Sequence, residues 1–421
     1  MTTLPTPVPG LELEWVRSHL AHLCVESSPD RIVASQRFRG GQRAADLAIG
    51  NVDIRGYASR RNEVLPVHRR GATALSPYVR HGLVSLPALW RHVADSPARD
   101  VEKFRDELMW QEYARHVYAR LGSATRSPLR AAPSVGTDWH DQPWPDDMAC
   151  IKAVHDELTN DGWLVNQTRM WAASQWTVRA GADWNDGEDY FFKHLLDGSR
   201  AANRLGWQWT IGAGTGKPYG FSRWQVQKRA PELCTHCVRA NDCPIDQWPD
   251  TAAPDWLGGM TVDALRSGAS GAGPAGPSAA GAVTDKRSDD AETVWITAES
   301  LGDNDPALRS NPHLPVLFIF DQALLARLML SSKRLVFIAE CLADLATRRD
   351  VRVTIGDPIS LLAHRHVAVT YAPVPGYQRI RKGMPMATEY PWAWLCTPDE
   401  GSLSSYSAWA RRASRRMANA Q

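Results

Sequence analysis

Sixteen consecutive residues, 267–282, are all glycine, alanine, serine or proline. Such a run cannot bury enough apolar surface to offset the entropy of ordering it. It reads as a flexible tether spanning on the order of 20–25 Å root-mean-square. A 421-residue chain divided in this way is expected to fold as two units. The two sides differ in texture. From about 37 to 256 apolar residues recur at three and four spacing, as in VEKFRDELMWQEYARHVYARL at 101–121, the pattern of amphipathic helices. Pro66, Gly71, Pro77, Gly122, Pro143 and Pro145 punctuate it. Beyond the tether lie short β-branched runs: VWIT (294–297), VLFIF (316–320), VRVTI (351–355) and VAVTY (367–371). Helical stretches such as 333–349 separate them. Strands alternating with helices predict a parallel sheet with right-handed crossovers. No G-x-G-x-x-G follows the first strand, so no dinucleotide site is assigned there. Residues 1–36 read as an N-terminal extension, a Pro-rich entry followed by one amphipathic helix around 13–24.

The formal net charge is only +2, so any nucleic-acid contact must come from a local patch. Segment 55–80 holds six arginines and one glutamate. It could follow a phosphate backbone in a salt-dependent way, or form a solvated face. Seven cysteines, an odd number partly arranged as C-x-x-C, point to a reducing compartment and away from a disulfide scaffold; a cytoplasmic location is expected. The start has no basic region leading into an apolar run, so no signal peptide is expected. No run of eighteen apolar residues exists, so no membrane span is expected.

Stretch 162–210 holds six of the eighteen tryptophans. Single polar residues, Asn166, Arg169, Asp197 and Asn203, interrupt its apolar helical pattern. Rings at such density ordinarily fill a core, and lone polar residues there are ordinarily satisfied core groups. Further on, Cys234, Cys237 and Cys243 form C-x-x-C-x5-C. Thiolates at this spacing wrap a metal or cluster, which requires a fourth ligand. Cys24, Cys341 and Cys396 read as plain buried thiols.

Taken in order, seven blocks resemble the FAD-binding domain of the photolyase/cryptochrome family across roughly 37–245. They are RFRGG (37–41), RGYASRRNEVLP (55–66), GATALSPYVRHG (71–82), DELMWQEYARHVY (106–118), GWLVNQTRMW (162–171), DWNDGEDYF (183–191) and LLDGSRAANRLGWQW (195–209). The C-terminal part is similar to that family's α/β antenna domain, through VWITAESLGDNDPAL (294–308), VLFIFDQALL (316–325), SSKRLVFIAECLADL (331–345), VTIGDP (353–358) and SSYSAWARR (404–412). The resemblance implies an all-helical FAD-binding domain at 37–256, a linker at 257–292 and a Rossmann-like parallel α/β domain at 293–421. In the family the α/β domain comes first, so the resemblance implies a circular permutation. Such a rearrangement is physically cheap, because loop length contributes little closure entropy.

The resemblance also implies residue roles. Tyr57, Thr73, Ala74, Leu75 and Ser76 would hold the phosphates of a folded-back FAD, using donors near a helix start. Asn166 and Arg169 would touch the cofactor and its surroundings, the latter with a fixed cationic fork. Asp197 would accept from the flavin ring, and Asn203 would face its N5. Trp207 and Trp184 would carry electrons from the surface, with Trp139 or Trp144 outermost. Glu107, Trp110, Asn166, Met170 and Trp209 would form the catalytic pocket for a flipped cyclobutane pyrimidine dimer, as photolyases flip their target bases. Glu107 and Trp110, three apart, share a helix face. The family's iron–sulfur branch places a cysteine where Cys150 stands, and KPYGFSRWQVQK (217–228) resembles that branch's approach to C-x-x-C. A [4Fe–4S] cluster on Cys150, Cys234, Cys237 and Cys243 is implied; zinc with Cys150 or His236 as the fourth ligand is the alternative. The chain departs from the pattern at Val165, where a histidine would be needed to repair (6-4) photoproducts. It departs also at Gln111 and Gln167, in place of phosphate-gripping bases, and at Ser199, in place of an acid. The implied function is light-driven splitting of cyclobutane dimers in damaged single- or double-stranded DNA by an electron from reduced FAD, with an antenna chromophore of unidentified chemistry in the α/β domain. The second reading is a non-catalytic blue-light receptor.

Overall fold

The computed structural model describes residues 2–131, 139–247, 290–384 and 386–419. The tether and nearly all of the expected linker 257–292 lie outside them, as does 248–256. Helices occupy most of the described chain up to 235, and a mixed six-stranded sheet forms the second unit. Its strands are β1 (Thr2–Leu4), β2 (Thr293–Ile296), β3 (Val316–Asp321), β4 (Val351–Gly356), β5 (Val367–Thr370) and β6 (Ala387–Tyr390), in the order β1-β4-β3-β2-β5-β6. Strands β2 to β6 are parallel, whereas β1 runs antiparallel to β4. The four β-branched runs are four of the five parallel strands. Helices cover both faces of such a sheet, so its inner strands read as continuous apolar runs. The two edges escaped the pattern. Strand β6 (ATEY) is half-exposed, and β1 is three residues long.

Strand β1 belongs to the segment expected to be an extension. Its register is held by Thr2 opposite Ile355, by Thr6 Oγ1 donating to Val351 O (2.7 Å) and by Trp15 Nε1 donating to Pro5 O (2.7 Å). The helix expected at 13–24 ends at His19. The chain leaves it so that Cys24 can bridge Leu330 and Val25 N can donate to Leu330 O (3.0 Å).

One apolar core runs from the helical unit into the sheet unit, joining Phe38, Tyr78 and Leu83 to Val294, Phe318 and Phe337. The helix Ser332–Ala346 is its axis and is buried on almost every side. The RFRGG segment docks on it. Gly40 N donates to Glu340 Oε2 (2.7 Å), Gly41 N to Cys341 Sγ (3.1 Å) and Gln42 N to Asp344 Oδ2 (2.8 Å). A Cβ on Gly40 would stand 2.2 Å from Phe337 O, so only glycine allows this approach.

His194 closes the same interface from the helical side. Burial, then the nearby Lys333, His155, Lys193 and Arg334, hold its pKa at about 3 against an ordinary 6.5, and its Nδ1 is buried without a partner among the described residues. Between those values the unfolded chain binds the proton and the folded chain does not. The stabilisation is therefore full above pH 6.5 and is lost as pH falls toward 3. The urea midpoint should drop between pH 7 and pH 4, and His194→Phe should flatten that drop. An unchanged slope in the variant would assign the acid sensitivity elsewhere.

Candidate functional site

The expected site residues converge. A cavity of about 550 Å³ is walled by Tyr57, Thr73, Ala74, Leu75, Ser76, Glu107, Trp110, Asn166, Arg169, Met170, Asp197, Asn203, Trp207 and Trp209. Six local structures bring them in: the turn Tyr57–Arg60, the loop into Ser76–Arg80, the helices Ala98–Leu121, Asn166–Ser174 and Arg200–Thr210, and the turn before the last, which carries Asp197. Trp184, Trp139 and Trp144 are not among the wall residues.

At one end Tyr57 packs edge-on against Phe104 (5.1 Å), and burial pushes its phenol above the ordinary range. Ala74 takes a left-handed φ of 55°. Ser76 Oγ accepts from Trp163 Nε1 (2.9 Å), which leaves its own O–H as a donor.

In the middle Arg169 Nη2 donates to Asp197 Oδ2 (2.7 Å), and its Nε to Leu164 O (3.0 Å). The Asp197 side chain is only 6% exposed, and its Oδ1 has no partner among the described residues. An unpaired buried acceptor is costly, so this oxygen calls for a donor in the cavity. Asn203 Nδ2 donates to both Glu188 O (3.0 Å) and Glu188 Oε1 (2.8 Å). Both partners are acceptors, which settles the amide's orientation, and Oδ1 is left for the cavity. Glu188 is fully buried between Arg200 and Arg204; burial raises its pKa and the two guanidiniums oppose the rise. Ser199 caps the next helix, accepting from Ala201 N (3.2 Å).

The mouth carries two half-open indoles, Trp110 (37% exposed) and Trp209 (39%). Asn166 donates to Met170 Sδ across one helical turn (3.7 Å). Glu107 is paired with Arg61 (3.0 Å) and Lys103 (3.2 Å), so its carboxylate sits among cations at the opening. Trp209 leans on Tyr219 (5.6 Å), whose hydroxyl accepts from Gln167 (2.9 Å) and Gln225 (2.9 Å).

Two expectations need correction. Gln167 is buried in that tyrosine network, so the position points inward and is not a surface grip on phosphate. The arginine-rich segment 55–80 is not one continuous cationic face either. Arg55 pairs with Asp53, Arg70 with Glu157, and Arg80 reaches Glu299 in the other unit, so these three guanidiniums are turned to carboxylates on different sides.

Trp207 is 2% exposed and meets Phe191 edge-on (5.3 Å). From Phe191 the rings continue to Trp144 (5.7 Å), and from Trp144 to Trp176 (4.7 Å) and Tyr190 (5.2 Å). Gly187 lies between Trp207 and Trp176. A Cβ there would stand 2.2 Å from Trp207 Cη2 and 3.0 Å from Trp176 Cδ1. Trp176 and Trp207 thus border the same glycine, although Trp176 falls in the gap between two resembling blocks and was not expected to matter. The signal that could have found it is the glycine of DWNDGEDYF, one residue too small for its helical surroundings. Trp184 is buried in the same apolar cluster, and Trp139 packs against that cluster with its Nε1 on Gln142 O (3.1 Å).

The four cysteines surround a common pocket floored by Met148, Val226, Leu233 and Ile245. Cys150 opens the helix Ala149–Asp161, and Cys234 ends the turn Pro231–Thr235. Burial pushes the Cys150 thiol far up, and the other three thiols push it further. Arg223 opposes the rise at Cys234 and Cys243. Among the described residues no three His, Cys, Asp or Glu side chains converge closely enough to hold one metal ion. His236 faces outward with Nδ1 on Glu232 O (3.0 Å).

A second cavity, of about 710 Å³, lies between the two units over the carboxyl ends of β2 and β3, with Arg80, Arg115 and Arg334 facing Trp295, Tyr377 and Trp392. Leaving β1 aside, the sheet reverses direction of growth between β2 and β5. Ligands of open α/β sheets bind at such a switch point.

Residues 104–231 match the family model described as the FAD binding domain of DNA photolyase. A deoxyribodipyrimidine photo-lyase of Synechococcus sp. is 28% identical over 165 residues, covering 34% of this chain and 33% of that protein. One from Vibrio cholerae is 30% identical over 212 residues, covering 45% of each. A crystal structure of a Synechocystis sp. cryptochrome covers 49% of this chain and 47% of that chain at 20% identity, with a TM-score of 0.42. The chain therefore spans less than half the length of these curated relatives. The matched segment supports the resemblance to the photolyase/cryptochrome family and an FAD-binding helical unit. It holds every named wall residue of the first cavity except Tyr57 and the 73–76 loop, and it stops short of Cys234.

Proposed function

We propose that this chain is a flavin-dependent photolyase that splits cyclobutane pyrimidine dimers in DNA. One observation carries the reading. Within a single cavity a buried carboxylate oxygen of Asp197 lacks a donor among the described residues, Asn203 has its nitrogen committed to Glu188, and two indoles are half exposed. A reduced flavin carries N–H groups, at its N3 and N5, from which Asp197 Oδ1 and Asn203 Oδ1 would accept. When bound, FAD would supply the light-driven one-electron chemistry that opens the cyclobutane ring. The chain's own residues do the rest. Tyr57 and the loop 73–76 would bind phosphates. Arg169 holds Asp197 in its acceptor orientation. Asn203, with its nitrogen committed to Glu188, would offer N5 only an acceptor, which favours the protonated, reduced flavin. Trp110 and Trp209 would stack on the flipped pyrimidines, while Glu107 and Asn166 would hydrogen-bond their edges. Arg61 and Lys103 place positive charge where flanking phosphates would pass. Electrons would enter through Trp207, from Trp184 and from Trp176 with Trp144 behind it; Trp139 is the other candidate for the outer end.

The four thiols, which line one pocket with Arg223, would hold the [4Fe–4S] cluster that the resemblance implies; zinc is the alternative. The cavity between the units would take the antenna chromophore. The order of the two units, helical before α/β, reads as a circular permutation. No described helix is long and apolar enough to cross a membrane.

The purified protein should show flavin bands with a broad visible shoulder from the cluster. Illuminated after reduction, it should remove dimers from oligothymidine, single- or double-stranded. A colourless protein that takes up no FAD would end this reading. Flavin uptake without any loss of dimers would favour the blue-light receptor.

A further inference from the structure

Trp110 does not stand alone at the mouth. The ring of Tyr406 lies flat against its indole, with centroids 3.6 Å apart and planes 11° from parallel. Tyr406 opens the last helix, Tyr406–Asn419, and comes from the sheet unit almost 300 residues away. Its hydroxyl is tied to Asp106, at Oδ1 (2.5 Å) and at the backbone oxygen (3.1 Å), one turn before Trp110. Tyr113 meets both rings edge-on, at 5.9 and 5.6 Å. The segment that delivers Tyr406 is latched to the helix Ala98–Leu121 at further points. Cys396 N donates to Glu112 Oε1 (2.9 Å), Trp409 Nε1 to His116 Nδ1 (3.2 Å), and Arg120 to the carbonyls of Asp399 and Gly401 (2.8 and 2.9 Å). An indole has two faces. Tyr406 covers one, while Trp110 stays 37% exposed and lines the cavity.

We infer that Tyr406 is a positioning residue for Trp110: the last helix of the sheet unit backs the indole so that its free face meets a flipped pyrimidine dimer already oriented. The inference rests on the proposed reading of the cavity as a base-flipping pocket. A half-exposed indole left unbacked would sample several rotamers and lose them on binding, whereas a stacked one has lost them in advance. Immobilising one such side chain and keeping one aromatic pair are together worth about tenfold in affinity. Tyr406 need not touch the DNA for this effect.

The test uses the full chain loaded with FAD and oligothymidine with or without a single dimer. Tyr406→Ala should weaken binding of the dimer-containing strand about tenfold, by the same estimate, and leave binding of the undamaged strand and the flavin spectrum unchanged. Tyr406→Phe keeps the stack and should restore most of the preference. Tyr406→Leu keeps the bulk without the flat ring and should behave like alanine; it serves also if the alanine variant folds poorly. In a Trp110→Leu background the Tyr406→Ala change should add little, because the two act through one ring. Full dimer preference in Tyr406→Ala and Tyr406→Leu, while Trp110→Leu loses it, would overturn the inference and leave the site reading intact. A wild-type chain that binds both strands alike would overturn the site reading, and this inference with it.

Discussion

Replacing Glu188 by alanine should destabilise the protein by about 3–5 kcal/mol, the range for removing one partner from a buried ion pair. The carboxylate is fully buried and holds Arg200, Arg204 and the amide of Asn203 at once. Its removal leaves two guanidiniums with less compensation, and Arg204 is itself buried. Urea unfolding at pH 7 measures the loss. Glu188→Gln keeps the volume and one oxygen toward Asn203 but not the charge, so it should fall between wild type and alanine. FAD affinity should follow the same order, because Asn203 then keeps only the backbone oxygen of residue 188 as an acceptor and its amide is held less firmly. A loss below about 1 kcal/mol, the range of an exposed pair, would mean that the charge cluster does not hold this part of the core.

Replacing Trp207 by phenylalanine should abolish photoreduction of bound FAD under blue light with a thiol reductant present. Trp207 is a buried tryptophan in the cavity wall, and ring contacts lead from it to Phe191 and on to Trp144. Beyond it the prediction divides. Trp176 shares the face of Gly187 with Trp207 and adjoins Trp144, while Trp184 lies in the surrounding core. Trp176→Phe and Trp184→Phe should each retain part of the photoreduction rate, and the double variant should match Trp207→Phe. If Trp184→Phe alone matches it, the Trp176 branch carries nothing. Transient absorption of the tryptophan radical separates these outcomes.

Much of the site was legible because its residues cluster in sequence. Asn166, Arg169, Met170, Asp197, Asn203, Trp207 and Trp209 come from two helices and the turn before the second, and they were named because the blocks 162–171 and 195–209 resemble the family's, not from periodicity. The parallel strands were legible from their own residues, since a strand buried on both sides must be apolar throughout. What escaped depends on partners far away in sequence. Nothing local marks Thr2–Leu4 as a strand; it becomes one because β4 has an open edge. Gln167 reads like a surface residue until Tyr219 arrives to take its amide. Glu188 looks like an ordinary helical acid until Arg200, Arg204 and Asn203 converge on it. Trp176 gains its neighbour only through the missing side chain of Gly187.

Periodicity and β-branched runs were enough to point to a helical part and a part built on a mostly parallel sheet, since burial patterns follow local geometry. The orientation of each polar atom in the cavity was another matter. Whether Asn203 presents oxygen or nitrogen, and whether Asp197 keeps an oxygen free, depends on hydrogen bonds to Glu188 and Arg169 that form only on folding. The same holds for Trp110, whose backing ring comes from the opposite end of the chain. Local sequence constrains which residues can be buried, but a hydrogen bond or a stacked pair needs two groups at contact distance, and only the folded chain brings them there.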